Sequence, residues 1–165
     1  MQYLIIGTGG CGGSIGAFLE KAGYNVDYIA RGKHREIMKK NGLTMKSDRM
    51  GEFILDPVNV YTAEEYQKKA DVIFVCVKGY GIEEILPLLR SVAKEDTVVI
   101  PILNIYGTGA AMNQRLPELT ILDGCIYIVA YIEEPGVICQ SGNIFKVVFG
   151  PRKGKQITPI MKRIK

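Results

Sequence analysis

A glycine-rich segment near the N-terminus is the first stretch of the sequence with the chemistry of a binding site. It covers residues 7–16, follows the apolar residues 3–6 and opens a helical pattern. Gly7 permits a sharp exit from a strand, Gly9 lets the backbone approach a pyrophosphate, and Gly12 lets the helix pack close to the strand. The first N–H groups of the helix and its dipole would face the phosphate oxygens. We therefore predict a dinucleotide site, with a glycine-rich turn of another α/β protein as the alternative. The predicted residues are Gly7, Thr8, Gly9, Gly10, Cys11 and Gly12.

Basic residues after the second predicted strand indicate which nucleotide is bound. A site for NAD carries Asp or Glu about 20 residues past the glycine turn, where it binds the ribose 2′-hydroxyl. Here that place holds Arg31, followed by Lys33, His34 and Arg35. An acid would repel a 2′-phosphate, whereas Arg binds it with a two-pronged, charge-assisted contact. We therefore predict NADP(H), with Arg31 as the main contact and added charge from the other three left open. Asp27 is the alternative ribose acid, although it lies early, inside the predicted strand.

Two polar residues follow buried strands further along the chain. Lys78 comes directly after the apolar run 71–77, and Asn104 directly after the run 97–103. Open α/β sheets bind ligands at the carboxyl ends of their strands, so both are candidates to contact a cofactor or substrate. Position alone equally allows Lys78 to cap its loop and Asn104 to form a turn or cap a helix. Pro101 lacks an N–H donor, so we expect irregular strand pairing there.

The four cysteines do not indicate a metal site. Cys11, Cys76, Cys125 and Cys139 form no C-x-x-C pair, and the single histidine cannot complete a zinc cluster of the usual spacing. Cys76 lies in an apolar strand and is predicted to be an inert core thiol. Cys11 lies near a helix N-terminus, where a thiolate would be stabilised, so it is either a reactive thiol or a small residue that fits the turn.

Charge and hydropathy argue against several classes of protein. The first 150 residues carry 15 basic and 17 acidic side chains, while residues 151–165 carry six Lys or Arg and no acid. No aromatic residues interleave with this basic tail, so we predict a solvated helix face or loop and no nucleic-acid partner. No apolar run is long enough to span a membrane, and no basic segment precedes the first apolar run as in a signal peptide. We therefore predict a cytoplasmic protein without a membrane partner.

Strand and helix patterns alternate over the first two thirds of the chain. Apolar strand patterns cover residues 3–6, 25–30, 58–61, 71–77 and 97–103. Helical patterns cover residues 14–22, 33–41, 82–92 and 107–116. This alternation predicts an α/β fold with a Rossmann-like, doubly wound and mostly parallel sheet.

Other patterns depart from this alternation. Residues 43–47 and 53–55 predict a hairpin inserted in the wound fold, and Thr62 to Glu65 predict an N-capped helix start. The C-terminal end is rich in strands and includes a Pro135-Gly136 turn. These strands are predicted at 120–122, 127–132, 137–140 and 145–149, and a further helix is predicted to begin near 157.

With these residues in place, the chain resembles the N-terminal domain of the ketopantoate reductases (2-dehydropantoate 2-reductases) from Met1 to about Gly150. The resemblance rests on an ordered set of motifs rather than on one of them. They are Gly7-x-Gly9-x-x-Gly12-x-x-x-Gly16, Ala30-Arg31-Gly32, Asn41-Gly42-Leu43, Val75-Cys76-Val77-Lys78, Asn104, Gly124 and Glu134-Pro135-Gly136-Val137-Ile138. The resemblance implies an enzyme that uses NADPH to reduce a 2-keto acid to a 2-hydroxy acid. The named case is ketopantoate to pantoate, in pantothenate biosynthesis.

The resemblance also implies residue roles and a missing part. By position, the loop glycines hold the pyrophosphate, Arg31 holds the 2′-phosphate, and Lys78 and Asn104 border the cleft near the reacting end. In the family a helical C-terminal domain supplies the catalytic lysine, a general acid, and most substrate contacts, and it is absent here. We take residues 1–150 as the NADP-binding domain and 151–165 as a linker or the start of the missing helical domain. We therefore expect this chain to bind NADP(H) with little or no turnover. Surface that lacks the helical domain would also favour a homo-oligomer.

Two positions depart from the family pattern and leave alternatives open. Ile105 follows Asn104 where the family usually has glycine, and Gln140 stands where the family often has histidine. Either difference could change the substrate, so a reductase of another keto acid or of an imine is one alternative. A non-catalytic NADP(H)-binding module, which senses the nucleotide or partners another protein, is the other.

Overall fold

The chain folds into ten strands and five α-helices within the residues that the computed structural model describes, namely 1–152, 154 and 156–164. The strands are β1 (Gln2–Ile6), β2 (Asn25–Ile29), β3 (Leu43–Ser47), β4 (Gly51–Leu55), β5 (Asn59–Tyr61), β6 (Ala70–Val75), β7 (Ala93–Pro101), β8 (Thr120–Ile121), β9 (Asp123–Glu134) and β10 (Val137–Gly150). The helices are α1 (Gly10–Lys21), α2 (Gly32–Asn41), α3 (Ile82–Val92), α4 (Thr108–Arg115) and α5 (Pro159–Arg163). Parts of the predicted linker and last helix, Lys153, Lys155 and Lys165, lie outside the described residues.

Six strands form a fully parallel main sheet in the order β5-β2-β1-β6-β7-β8. This is the doubly wound order, with its switch point between β1 and β6. The two central strands are almost entirely buried, as expected for strands covered on both faces. One core packs Leu89 of α3 and Met112 of α4 against one face, and a second core packs Ile15 of α1 against the other. The predicted Rossmann-like fold is therefore confirmed.

A second sheet of four strands has the order β4-β3-β10-β9. The hairpins β3–β4 and β9–β10 are antiparallel, and β10 joins them by pairing in parallel with β3, with Ile138 opposite Met45. The predicted hairpin is thus half of a sheet rather than an isolated insertion. The strands predicted at 137–140 and 145–149 are one strand, β10, whose register shifts at a bulge between Ser141 and Phe145.

Helix α1 lies between the two sheets and touches both through glycines. A methyl group on Gly12 would lie 2.2 Å from the carbonyl oxygen of Gly7 and 2.9 Å from Cβ of Cys76, on the side of the main sheet. A methyl group on Gly13 would lie 1.9 Å from Cδ1 of Ile138, on the side of the second sheet. Real Cβ atoms do not approach other atoms this closely. The backbone oxygen of Gly7 cannot move aside, so the helix requires glycine at position 12, whereas a methyl group at position 13 would require the end of the Ile138 side chain to shift.

Two local predictions were wrong. Residues Thr62 to Glu65 form a turn and not a helix start, although the reciprocal capping hydrogen bonds between these two residues are present at 2.9 and 3.3 Å. Tyr66 follows this turn with its ring in the core, and the chain then passes directly into β6. Pro101 ends β7 in regular register with Val75, so its missing N–H falls at the end of the strand, where the loss is tolerated.

In the described part of the chain, no helix combines the length and apolar character needed to cross a membrane.

Candidate dinucleotide site

One row of paired residues crosses the main sheet at the edge where the predicted site residues lie. From β2 to β7 the row contains Ile29, Ile6, Val75 and Pro101. Each of these residues is followed, one to three positions later in the chain, by a predicted site residue. In the order of the strands these are Arg31, Gly7, Lys78 and Asn104. All of them leave the sheet at its carboxyl edge, around the switch point where doubly wound folds bind ligands.

The loop between β1 and α1 presents the positive end of a helix. Gly7 has a φ of +95°, which side-chain-bearing residues rarely adopt, and its N–H donates to the Ile29 carbonyl at 3.1 Å. The buried hydroxyl of Thr8 donates to the same carbonyl at 3.0 Å, so the Thr8 side chain points into the fold. Gly9 caps α1 without a side-chain hydrogen bond, and the first turn contains no acidic residue. The helix N-terminus can therefore bind an anion.

Gly9 differs from the neighbouring glycines because it lies beside open space. A methyl group on Gly9 would have no atom of the described residues within 4 Å. Its φ of −84° and ψ of −167° are open to any residue. Neither packing nor backbone conformation therefore requires glycine here. A pyrophosphate lying against the backbone would require it, so the loop fits a dinucleotide.

Arg31 is exposed at the start of α2. Its side chain is 82% accessible, and its Nη1 lies 3.8 Å from Oε2 of Glu84, whose side chain is 70% accessible. An exposed ion pair at this distance is worth roughly 0–1 kcal/mol. The guanidinium can therefore exchange this partner for a phosphate.

The basic residues beyond Arg31 have different surroundings. Arg35 is bound to both carboxylate oxygens of Glu65, at 2.7 and 2.5 Å, and its side chain is only 16% accessible. His34 accepts a hydrogen bond at Nδ1 from the N–H of Gly136, at 3.0 Å. Burial lowers the pKa of His34, which the backbone of Thr8 only partly opposes, so the imidazole is neutral near pH 7. These two residues therefore do not supply the free positive charge that the sequence allowed, whereas Lys33 is exposed.

Asp27 is not placed to bind a ribose. Its side chain is 1% accessible, and its carboxylate accepts hydrogen bonds from the hydroxyl of Tyr66 at 3.0 Å and the ammonium of Lys68 at 3.2 Å. It lies two residues before the end of β2. The alternative in which Asp27 is the ribose acid is therefore wrong on geometry.

Lys78 and Asn104 lie in two loops that touch. The carbonyl of Lys78 accepts from the N–H of Gly81 at 2.8 Å, and its side chain is exposed. Asn104 is also exposed, three residues beyond the end of β7 rather than directly at the strand end as expected. A methyl group on Gly79 would lie 2.6 Å from Cδ1 of Ile105. Ile105 therefore packs over the loop that begins at Lys78.

A cavity of about 500 Å³ extends from Asn104. Its wall includes residues 103–110, the start of β9 and Arg152. The guanidinium of Arg152 is bound to the side chain of Asn113 and lies 4.0 Å from a carboxylate oxygen of Asp123. A cavity of this size can hold a small organic molecule.

The cysteines beside the loop are protonated thiols. Burial raises the pKa of Cys11, and the charge of the nearby Lys78 only partly opposes this shift. Burial also raises the pKa of Cys76, with a smaller contribution from Cys11. A raised pKa suppresses the nucleophilic thiolate, which favours Cys11 as a small residue that fits the turn. Within the described residues, no cluster of three His, Cys, Asp or Glu has the geometry of a metal site.

Two contacts of the site escaped the sequence analysis. Gly10 packs against β9, because a methyl group there would lie 2.4 Å from the carbonyl oxygen of Ala130. Glu84 lies beside Arg31 although the two are 53 positions apart. No local pattern signals either contact, since each joins elements that only the sheet order brings together.

Comparisons with known proteins identify the family of the chain. The family model for ketopantoate reductase PanE/ApbA matches residues 3–154. The 2-dehydropantoate 2-reductase of Archaeoglobus fulgidus is 36% identical over 144 residues, which is 87% of this chain and 45% of that protein. The crystal structure of 2-dehydropantoate 2-reductase from Porphyromonas gingivalis W83 has a TM-score of 0.86 at 29% identity, covering 99% of this chain and 58% of that one. A ternary structure of D-mandelate dehydrogenase with NADH and anilino(oxo)acetate has a TM-score of 0.78 at 26% identity, covering 86% of this chain and 46% of that one.

These matches identify the family and show how much of its members' length the chain covers. The chain spans about half the length of several relatives that it matches. The family model covers nearly the whole chain, including the glycine loop, Arg31, Lys78 and Asn104. The chain therefore belongs to the ketopantoate reductase PanE/ApbA family of oxidoreductases.

Proposed function

We propose that this chain binds NADP(H) and forms the cofactor-binding part of a reductase that converts a 2-keto acid to a 2-hydroxy acid. Ketopantoate is the first substrate to test, because several relatives are named 2-dehydropantoate 2-reductase. The observation that carries the proposal is the position of Arg31. Its exposed guanidinium lies two residues beyond the carboxyl end of β2, which pairs with the strand that leads into the glycine loop, and a 2′-phosphate would lie there.

Different residues of the chain would bind different parts of the cofactor. The backbone of Gly9 and the first N–H groups of α1 would hold the pyrophosphate. Arg31 would bind the 2′-phosphate, and Lys78 and Asn104 would orient the nicotinamide end at the edges of β6 and β7. NADPH, when bound, supplies the hydride. The keto acid would bind in the cavity beside Asn104. Ile105 would narrow the gap between the loops that follow β6 and β7, because it packs against Gly79.

NADP(H) binding requires less of the chain than reduction of a keto acid does. Reduction of a keto group also needs a proton donor for the alkoxide and a clamp for the carboxylate. The family resemblance implies a catalytic lysine in a helical domain outside this sequence. We therefore propose that the chain alone binds NADP(H) and reduces little or no keto acid.

A preference for NADH is the competing outcome, because the structurally similar D-mandelate dehydrogenase was solved with NADH. Titration calorimetry with NADPH and NADH separates the two. The variants are Arg31→Ala and, as a control with the same change of charge, Lys33→Ala. We expect NADPH to bind at least tenfold tighter than NADH, and only Arg31→Ala to remove most of that ratio. Equal affinities in the unsubstituted chain, or an equal effect of Lys33→Ala, would contradict the proposal.

A further inference from the structure

We propose that Glu84 is a specificity-determining residue that reduces the preference for NADPH over NADH. The inference rests on the proposed function, because it takes Arg31 as the ligand of the 2′-phosphate. Its basis is the pair between Nη1 of Arg31 and Oε2 of Glu84, at 3.8 Å. A carboxylate at this distance from the guanidinium also lies close to any anion that the guanidinium binds.

The pair crosses the part of the sheet edge where the nucleotide would lie. Arg31 follows β2, and Glu84 is in the first turn of α3, which follows β6. Strand β1 lies between β2 and β6, and the glycine loop leaves from its end. The ion pair therefore joins the elements that follow the two strands on either side of β1. A nucleotide that binds both the glycine loop and Arg31 would then lie close to Glu84.

The electrostatic consequence differs between the two cofactors. A 2′-phosphate carries up to two negative charges, which Glu84 repels while it also competes for the guanidinium. A ribose 2′-hydroxyl is uncharged and can donate a hydrogen bond to a carboxylate, so NADH escapes this penalty. Both side chains are largely exposed, and like charges a few ångströms apart in water change a binding constant by about three- to tenfold.

Helix stabilisation is the competing explanation for an acid at this position. Negative side chains in the first turn of a helix interact favourably with its dipole. Glu83 has the same advantage in the same turn, but it pairs with Arg115 at 2.7 Å and not with Arg31. Glu83→Gln is therefore a matched control, because it removes the same charge from the same turn of α3.

The test is titration of NADPH and NADH into four proteins: the unsubstituted chain, Glu84→Gln, Glu83→Gln and Arg31→Ala. We expect Glu84→Gln to tighten NADPH binding three- to tenfold and to change NADH binding by less than twofold. We expect Glu83→Gln to leave the ratio of the two affinities within twofold. Because the pair is exposed, the gain for NADPH should shrink as the salt concentration rises from 0.01 M toward 1 M.

The outcomes separate this inference from the proposed function. If Arg31→Ala removes the NADPH preference but Glu84→Gln leaves the ratio unchanged, or shifts both nucleotides equally, the role of Glu84 is refuted and the proposed function stands. An equal gain from Glu83→Gln also refutes it, because the effect would then be a general one of charge. If Arg31→Ala does not change the ratio of the NADPH and NADH affinities, both are refuted.

Discussion

Substituting Gly9 and Gly12 separately should distinguish a glycine that the ligand requires from one that the fold requires. A methyl group on Gly9 meets no described atom within 4 Å, whereas one on Gly12 would lie 2.2 Å from the carbonyl oxygen of Gly7. We expect Gly9→Ala to fold normally and to lose nucleotide binding. We expect Gly12→Ala to lose folding stability as well, because the backbone atom that it meets cannot rotate away.

The structure allows rough magnitudes for both variants. Overpacking costs about 1–3 kcal/mol, and the cost at Gly12 should lie near the upper end because the methyl group would meet a backbone oxygen. Replacing glycine inside a helix returns about 1 kcal/mol, so Gly12→Ala should lose about 2 kcal/mol net. For a domain of this size that lowers Tm by roughly 4–8 °C. At Gly9, the poorer cap and the stiffer unfolded chain act in opposite directions and each amounts to less than about 1 kcal/mol, so Tm should stay within about 2 °C. A methyl group in the path of the pyrophosphate should weaken NADPH binding at least about tenfold.

The assays are a thermal melt followed by circular dichroism and a titration followed by NADPH fluorescence. Normal NADPH affinity in Gly9→Ala would refute the placement of the pyrophosphate. A fall in the Tm of Gly9→Ala as large as that of Gly12→Ala would refute the claim that the fold does not need glycine at position 9.

Two further predictions concern buried polar groups. Burial lowers the pKa of His34, so the unfolded chain binds a proton at His34 more readily than the folded chain does. The stability that neutral His34 contributes is therefore complete above the unfolded pKa, about 6.5, and is lost as the pH falls below that value. Calorimetry should show a smaller fall in Tm between pH 7.5 and 5.5 for His34→Gln than for the unsubstituted chain. An unchanged pH dependence would contradict the neutral imidazole bonded to Gly136. Tyr66→Phe should cost about 1–3 kcal/mol in urea unfolding, because it removes a donor from the buried carboxylate of Asp27, whereas Lys68→Ala should cost less because the Lys68 side chain is half exposed. Equal losses would show that the hydroxyl of Tyr66 has no special role at Asp27.

The parts of the fold that were predictable from sequence depend on local patterns. The glycine loop, the buried strands β1 and β6 and the helix α3 each have a pattern within ten or so residues, and the alternation of strands and helices predicted a doubly wound, mostly parallel sheet. The second sheet was not predictable as a sheet. It depends on the parallel pairing of β3 with β10, whose paired residues are 93 positions apart, as at Thr44 and Val137.

The candidate site follows the same division. Residues on the row across the main sheet could be placed from sequence, because parallel strands bring their carboxyl ends to one edge. The environments of His34 and Arg35 could not, since their partners Gly136 and Glu65 are 102 and 30 positions away. A basic residue after a strand looks the same in the sequence whether its charge faces a ligand, an internal acid or the core.

The position of α1 between two sheets has a consequence for the order in which the chain becomes rigid. One side of the helix is covered by strands from the first half of the chain, but the other side is covered by Ala130 and Ile138 of β9 and β10. During synthesis from the N-terminus, the helix that begins the nucleotide site is made first and is enclosed only after most of the domain has left the ribosome. Closing so distant a contact is slow relative to local structure. The oldest segment of the nascent chain is thus among the last to reach its final surroundings.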